Sequence, residues 1–149
     1  MKMKEICTPE VAWCGRDTTA LEAARLMRHK HVGDLVVVDD PDEARTPIGV
    51  LTDRDLVIEI MAKGVDPSTV TAAELVRTPV VIADETEDVR QVIERMRTHG
   101  VRRIPIVDHR GSVAGIVTLD DLLKCVIDEA SKLVGVVDMG RDREQRVRR

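Results

Sequence analysis

The chain has 149 residues, 43% apolar and 34% charged, with a net charge of −4. That length allows one compact body or two small halves sharing a core, burying roughly 68–70% of the unfolded surface. The acidic balance argues against a general polyanion binder. Trp13 is the only aromatic residue, so the stacking platforms used to hold single-stranded nucleic acid are missing. No apolar run approaches the ~18 residues of a membrane span, and no apolar stretch follows Met1-Lys2-Met3-Lys4-Glu5 to act as a secretory signal. The expected address is the cytoplasm. Cys7, Cys14 and Cys125 make no Cys-x-x-Cys pair, and His29 and His31 fall on different faces of a helix. The pattern favours buried thiols over a zinc site.

Taken in chain order, the sequence repeats itself. Thr8-Pro9 through Leu56 returns as Thr78-Pro79 through Leu122, with Met27 matching Met96, Val32 matching Val101, Asp39 matching Asp108 and Gly49 matching Gly115. The first copy holds an additional acidic turn, Asp40 to Arg45. Its first helix is predicted from Leu21, Ala24 and Met27. Strands follow at Leu35–Val38 and Ile48–Leu51, then a helix carrying Leu56, Val57, Ile60 and Met61. Thr71-Ala72-Ala73-Glu74 reads as a short linking helix with a capping box. In the second copy Val80-Val81-Ile82 is predicted as a strand, Val89, Val92, Ile93 and Met96 as a helix face, Arg103–Val107 and Ser112–Val117 as strands, and Leu122 to Ile127 as helix. The boundaries are 3–65 for the first copy, 71–134 for the second, and 135–149 for a basic tail. Arginine-rich tails attract nucleic acid in some proteins, but a solvated or disordered end is the expectation here.

Each copy has about 50 residues, too few for a generous core, so the two sheets have reason to pack on one another. The expected fold is α/β. Two strand-helix-strand-strand-helix repeats relate by a pseudo-two-fold, with packed central sheets, outer helices and two equivalent clefts.

One pattern joins the third strand of each copy to its last helix. It is Gly49-Val50-Leu51-Thr52-Asp53-Arg54-Asp55 in the first and Gly115-Ile116-Val117-Thr118-Leu119-Asp120-Asp121 in the second. Threonine followed by aspartate three residues on is a helix N-cap. The same geometry suits a nucleotide: free N–H groups and a hydroxyl for phosphate, and a carboxylate for the ribose diol.

These motifs, with Leu35-Val36-Val37-Val38-Asp39 and Ile104-Pro105-Ile106-Val107-Asp108 before them, resemble a tandem CBS (cystathionine β-synthase) domain pair, or Bateman module, over about residues 3 to 130. The resemblance implies a regulatory module without catalysis that binds an adenosine ligand such as AMP, ADP or ATP. It implies that Thr52 with Asp55, and Thr118 with Asp121, contact phosphate and ribose. It places adenine against Glu10, Ala12, Val32 and Leu35 in the first copy and Pro79, Val81, Val101 and Ile104 in the second. Arg103 is implied to reach the first motif, giving a cationic cleft of Thr52, Arg54, Asp55 and Arg103, whereas Asp120 and Asp34 make its twin acidic. A homodimer through Leu56, Ile60, Met61, Leu122, Leu123 and Val126 is also implied. The alternative is an interaction scaffold with this fold and no ligand. Neither a nucleophile–base pair nor a metal-ligand set accompanies the aspartates in the sequence.

Overall fold

The computed structural model describes residues 1–148, leaving Arg149 of the basic tail outside the described residues. Two three-stranded sheets form as expected, one per copy, each with its parallel strand first and an antiparallel pair after it. The first copy contains β1 (Trp13–Gly15), α1 (Ala20–Lys30), β2 (Asp34–Asp39), β3 (Thr46–Thr52) and α2 (Asp53–Leu56), which runs on as a π-helical turn, Val57–Met61. After the linking helix α3 (Ala72–Leu75), the second copy contains β4 (Ala83–Asp84), α4 (Val89–His99), β5 (Arg103–Val107), β6 (Val113–Thr118) and α5 (Leu119–Val147).

The likeness extends to details of local geometry. Thr19 and Asp88 cap the starts of α1 and α4, and both helices end on a left-handed residue, His31 (φ 54°) and Gly100 (φ 63°). Each β-hairpin slips register at the matching place, Val37/Val38 and Ile106/Val107.

Alternation along the strands sorts the core into three parts. Leu35, Val37 and Leu51 point toward α1, where they meet Ala23 and Met27. Ile104, Ile106 and Val117 do the same toward Val92 and Met96 of α4. Val36 and Val38 face the opposite way and meet Ile116 of the other copy, with Val11, Trp13 and Val113 packed around them. That third cluster is where the sheets join, as the pseudo-symmetric reading expected.

Several elements differ from expectation. Residues Val80–Ile82 make no ladder; the strand is the following pair, Ala83–Asp84. On α1 the buried face is Ala20, Ala23 and Met27, and Ala24 is exposed. Of the apolar residues expected on the surface, Ile60 and Leu122 are buried and Leu56 is half-buried, whereas Met61, Leu123 and Val126 are exposed. The basic tail is helical through Val147, as the far half of α5.

Short segments are exchanged between the copies. Met3, in a 3₁₀ turn at Met3–Glu5, is fully buried in the second copy's core. Met3 N–H donates to Glu87 O at 3.1 Å, Lys4 N–H to Glu85 O at 3.0 Å, and Thr8 pairs with Ile116 through two backbone bonds of 2.9 and 3.1 Å. Reciprocally, Ala72 is fully buried in the first copy's core, and its N–H donates to Thr18 O at 2.7 Å. The opening segment of each copy thus completes the core of the other.

Candidate ligand clefts

The motif glycines earn their place through this exchange. A Cβ on Gly49 would stand 2.3 Å from Cβ of Val76, just after α3, and one on Gly115 would stand 2.8 Å from Sγ of Cys7. Only a bare backbone lets the opening segment of the other copy cross the third strand. That crossing carries Arg77 and Pro79 over the first motif, and the cleft there is built from both copies.

At each motif the threonine and aspartate form a reciprocal cap. Thr52 N–H donates to Asp55 Oδ2 at 2.9 Å, and Asp55 N–H donates to Thr52 Oγ1 at 3.2 Å. Thr118 and Asp121 repeat these bonds at 2.9 and 3.2 Å, and the Thr118 hydroxyl also donates to Asp121 Oδ2 at 2.9 Å. Among the described residues no hydrogen bond reaches Oδ1 of either aspartate, so one carboxylate oxygen serves the helix start and the other is open to a ligand.

Asp55 faces a cavity of about 140 Å³ whose walls are Gly49 and Val50 from the first copy and Arg77, Pro79, Val80, Val81, Val101 and Arg103 from the second. Five of the residues expected in a ligand site meet here: Asp55, Pro79, Val81, Val101 and Arg103. Thr52 stays half-buried behind them as the cap, and Arg54 is exposed on α2 and outside the lining. Arg77 takes the place foreseen for Arg54. Sequence reasoning missed it, although its counterpart in the repeat is Cys7, a contrast visible in the alignment. Leu35 and Ile104 are wholly buried in the two helix-facing cores and cannot touch a ligand here. Strand alternation turns both away from the cleft.

The repeat-related counterpart of this cavity is a wider opening of about 620 Å³, where Pro9, Glu10, Val11 and Val32 stand for Pro79, Val80, Val81 and Val101 but Asp121 is not part of the lining. Asp121 opens on a shallower hollow of about 380 Å³ with Met1, Glu5, Ile6, Lys124, Cys125 and Asp128 among its walls. The wider opening takes in Glu10, Ala12 and Val32 together with Trp13, Lys30 and Arg45. The Arg45 guanidinium lies over the Trp13 ring at 4.7 Å. The two clefts are therefore unequal in shape, not equivalent as the repeat suggested.

Their charge also differs from expectation. Asp34 does not stand alone to make the second cleft acidic. Its Oδ2 lies 2.7 Å from Arg103 Nε, an ion pair joining the copies. That Nε is buried yet forms no aligned hydrogen bond among the described residues. The guanidinium at the cavity wall is thus neutralised in part but not saturated.

All three cysteines are free thiols. Burial pushes the Cys14 thiol up to about 11, against a smaller opposing effect of the Thr18 hydroxyl, and burial also raises Cys7. Because the thiolate is the reactive form, Cys14 should hold about one part in a thousand thiolate at pH 8 and gain reactivity only as pH climbs toward 11. Maleimide labelling of the native protein at pH 8, read by peptide mass, should leave Cys14 unmodified until denaturant is added; prompt labelling would contradict its burial. Among the described residues no three His, Cys, Asp or Glu side chains gather as a metal-binding group, and no helix is long and apolar enough to cross a membrane.

Comparison with known proteins agrees with this architecture. The CBS domain family matches residues 3–62 and 72–127. An uncharacterized protein of Methanopyrus kandleri is 38% identical over 120 residues, 80% of this chain, and the chain spans 60% of that protein's length. Hypoxic response protein 1 of Mycobacterium tuberculosis is 35% identical over 128 residues, 85% of this chain and 86% of that protein. Among solved structures, hypoxic response protein I with two coordinated zinc ions superposes with a TM-score of 0.72 at 33% identity, covering 83% of this chain and 98% of that one. A CBS domain protein of Pyrobaculum aerophilum complexed with AMP shares the fold, with a TM-score of 0.70 at 21% identity over 81% of this chain and 89% of that one. With both copies matched, in register with the repeat and its motifs, the chain belongs to the CBS domain family and is a tandem pair of such domains, a regulatory module.

Proposed function

We propose that this pair senses an adenine nucleotide of the AMP, ADP or ATP class in the cleft of Asp55, and that binding alters a partner protein or the module's own assembly as a homodimer. The observation that carries this reading is a cavity in which one carboxylate, two arginines and an apolar wall converge from both copies. Asp55 Oδ1 suits a ribose hydroxyl, Arg77 and Arg103 suit phosphate, and Pro79, Val81 and Val101 suit a purine face. The AMP complex of the Pyrobaculum aerophilum protein supports the ligand class; the zinc of hypoxic response protein I makes a metal arm worth including in any screen. The cavity, at about 140 Å³, is below the roughly 300–1,000 Å³ usual for small-molecule sites. A nucleotide would enter it only in part, and fuller entry requires Arg103 to loosen its hold on Asp34.

Calorimetry with AMP should give one site per chain. Asp55→Ala and Arg103→Ala should each weaken it about 10–100-fold, the loss of a charge-assisted hydrogen bond of ~1.5–3 kcal/mol, whereas Asp121→Ala should change it little. Two equal sites, or full affinity in Asp55→Ala, would remove the reading. No stabilisation by any adenosine compound in a thermal-shift screen would leave the scaffold function in its place.

A further inference from the structure

Among the described residues, nothing in the monomer covers the far half of α5. Every residue from 128 to 148 is exposed, and at 1.5 Å per residue the 29-residue helix is about 44 Å long. Two glycines, Gly135 and Gly140, lie within it, each costing about 1 kcal/mol of helix stability against alanine. A solitary amphipathic helix of this kind is held mainly by what covers its apolar face.

That face has a definite period. Leu123, Val126, Ala130, Leu133 and Val137 follow one another at alternating steps of three and four, and the same steps continue through Gly140 and Glu144 to Val147. This is the seam of a two-stranded coiled coil. Leu123, Val126, Leu133, Val137 and Val147 are each at least half exposed.

The charges identify the occupant and its direction. Residues 119–132 carry four acidic against two basic side chains, and residues 141–148 carry four arginines against two acidic side chains. A second helix of the same sequence laid antiparallel matches acidic half to basic half at both ends. With Leu133 opposite Val137 of a second copy, the small residues Ala130 and Gly140 come opposite each other. The flanking positions then set Glu129 against Arg143 and Asp120 against Arg148. A parallel pair would instead bring Arg143 beside Arg148 and both arginine-rich ends together, which is repulsive.

We infer that residues 123–147 of α5 are a self-association surface that pairs antiparallel with the same helix of a second copy. This gives the homodimer named above a specific surface, and it is independent of the ligand reading.

Light scattering at micromolar concentration should give a dimer mass for the native chain and a monomer mass for both Leu133→Asp and Val137→Asp. Met61→Asp, on the other exposed apolar face, should leave the dimer intact. AMP affinity should persist in the Leu133→Asp monomer, which separates this surface from the cleft. A nitroxide on Gln145→Cys in a Cys125→Ser background should report a spacing of about 30 Å or more across the dimer, since the two labels sit ~20 residues apart along the paired axes. A spacing under about 20 Å would mean parallel helices. That result, a native monomer, or a Leu133→Asp dimer dissociated by Met61→Asp would each overturn the inference.

Discussion

Met3→Ala should destabilise the protein by about 2–5 kcal/mol, although Met3 lies outside the strands and long helices. The magnitude is that of emptying a filled core position. Met3 is fully buried among Val92, Met96, Ile104 and Leu122, and the backbone around it is tied to Glu85 and Glu87, so collapse into the void is resisted. Against a total stability of about 5–15 kcal/mol for a domain of this kind, the loss should be plain in the urea midpoint. Deleting residues 1–7 should cost more, because it also removes the bonds to Glu85 and Glu87. Chemical denaturation followed by far-ultraviolet circular dichroism is the measurement. A Met3→Ala midpoint equal to that of the native chain would mean the segment is only laid on the surface.

Gly49→Ala should be the second large effect, through crowding instead of loss. Its new Cβ would sit 2.3 Å from Val76 Cβ, where carbon atoms normally keep ~3.5–4.0 Å. The segment after α3 must move outward by more than an ångström, at about 1–3 kcal/mol. Because Arg77 and Pro79 follow directly, AMP affinity should fall along with stability. The contact supplies its own control: Val76→Gly removes the opposing Cβ, so Gly49→Ala with Val76→Gly should be less damaged than the two single losses added together, by at least about 1 kcal/mol. Strict additivity would show that the two positions do not meet.

The repeat, both sheets and the helix starts were legible because periodicity and capping are local properties. Val81 shows where this stops. It is apolar in a short apolar run, but it packs against the second core and lines the cleft without joining a ladder, and hydrophobicity alone does not distinguish such packing from strand pairing. Ala23 and Ala24 are equally apolar neighbours, and only the packing of α1 on β2 decides which is buried. The pairing of Asp34 with Arg103 spans both copies, and nothing local in either stretch announces it. It decides the electrostatics: Asp34, expected in the second cleft, pairs with Arg103 at the wall of the first. In the far half of α5 the three-four spacing is present in the sequence, but arginines and two glycines interrupt the apolar pattern, so composition alone reads as a tail.

The exchanged segments also bear on how the chain comes off the ribosome. The first copy's core is complete once Ala72 and Val76 have emerged, so it can close soon after its own residues are made. Met3 must wait for Leu122, tens of residues later, which at ~5–20 residues per second is a delay on the order of seconds. During that interval the folded first copy trails a loose apolar segment at one end while the growing second copy lacks the piece that fills it. The second domain therefore matures last and depends on a segment made before the first domain, and a stalled ribosome would leave an incomplete core with its missing residue already synthesised.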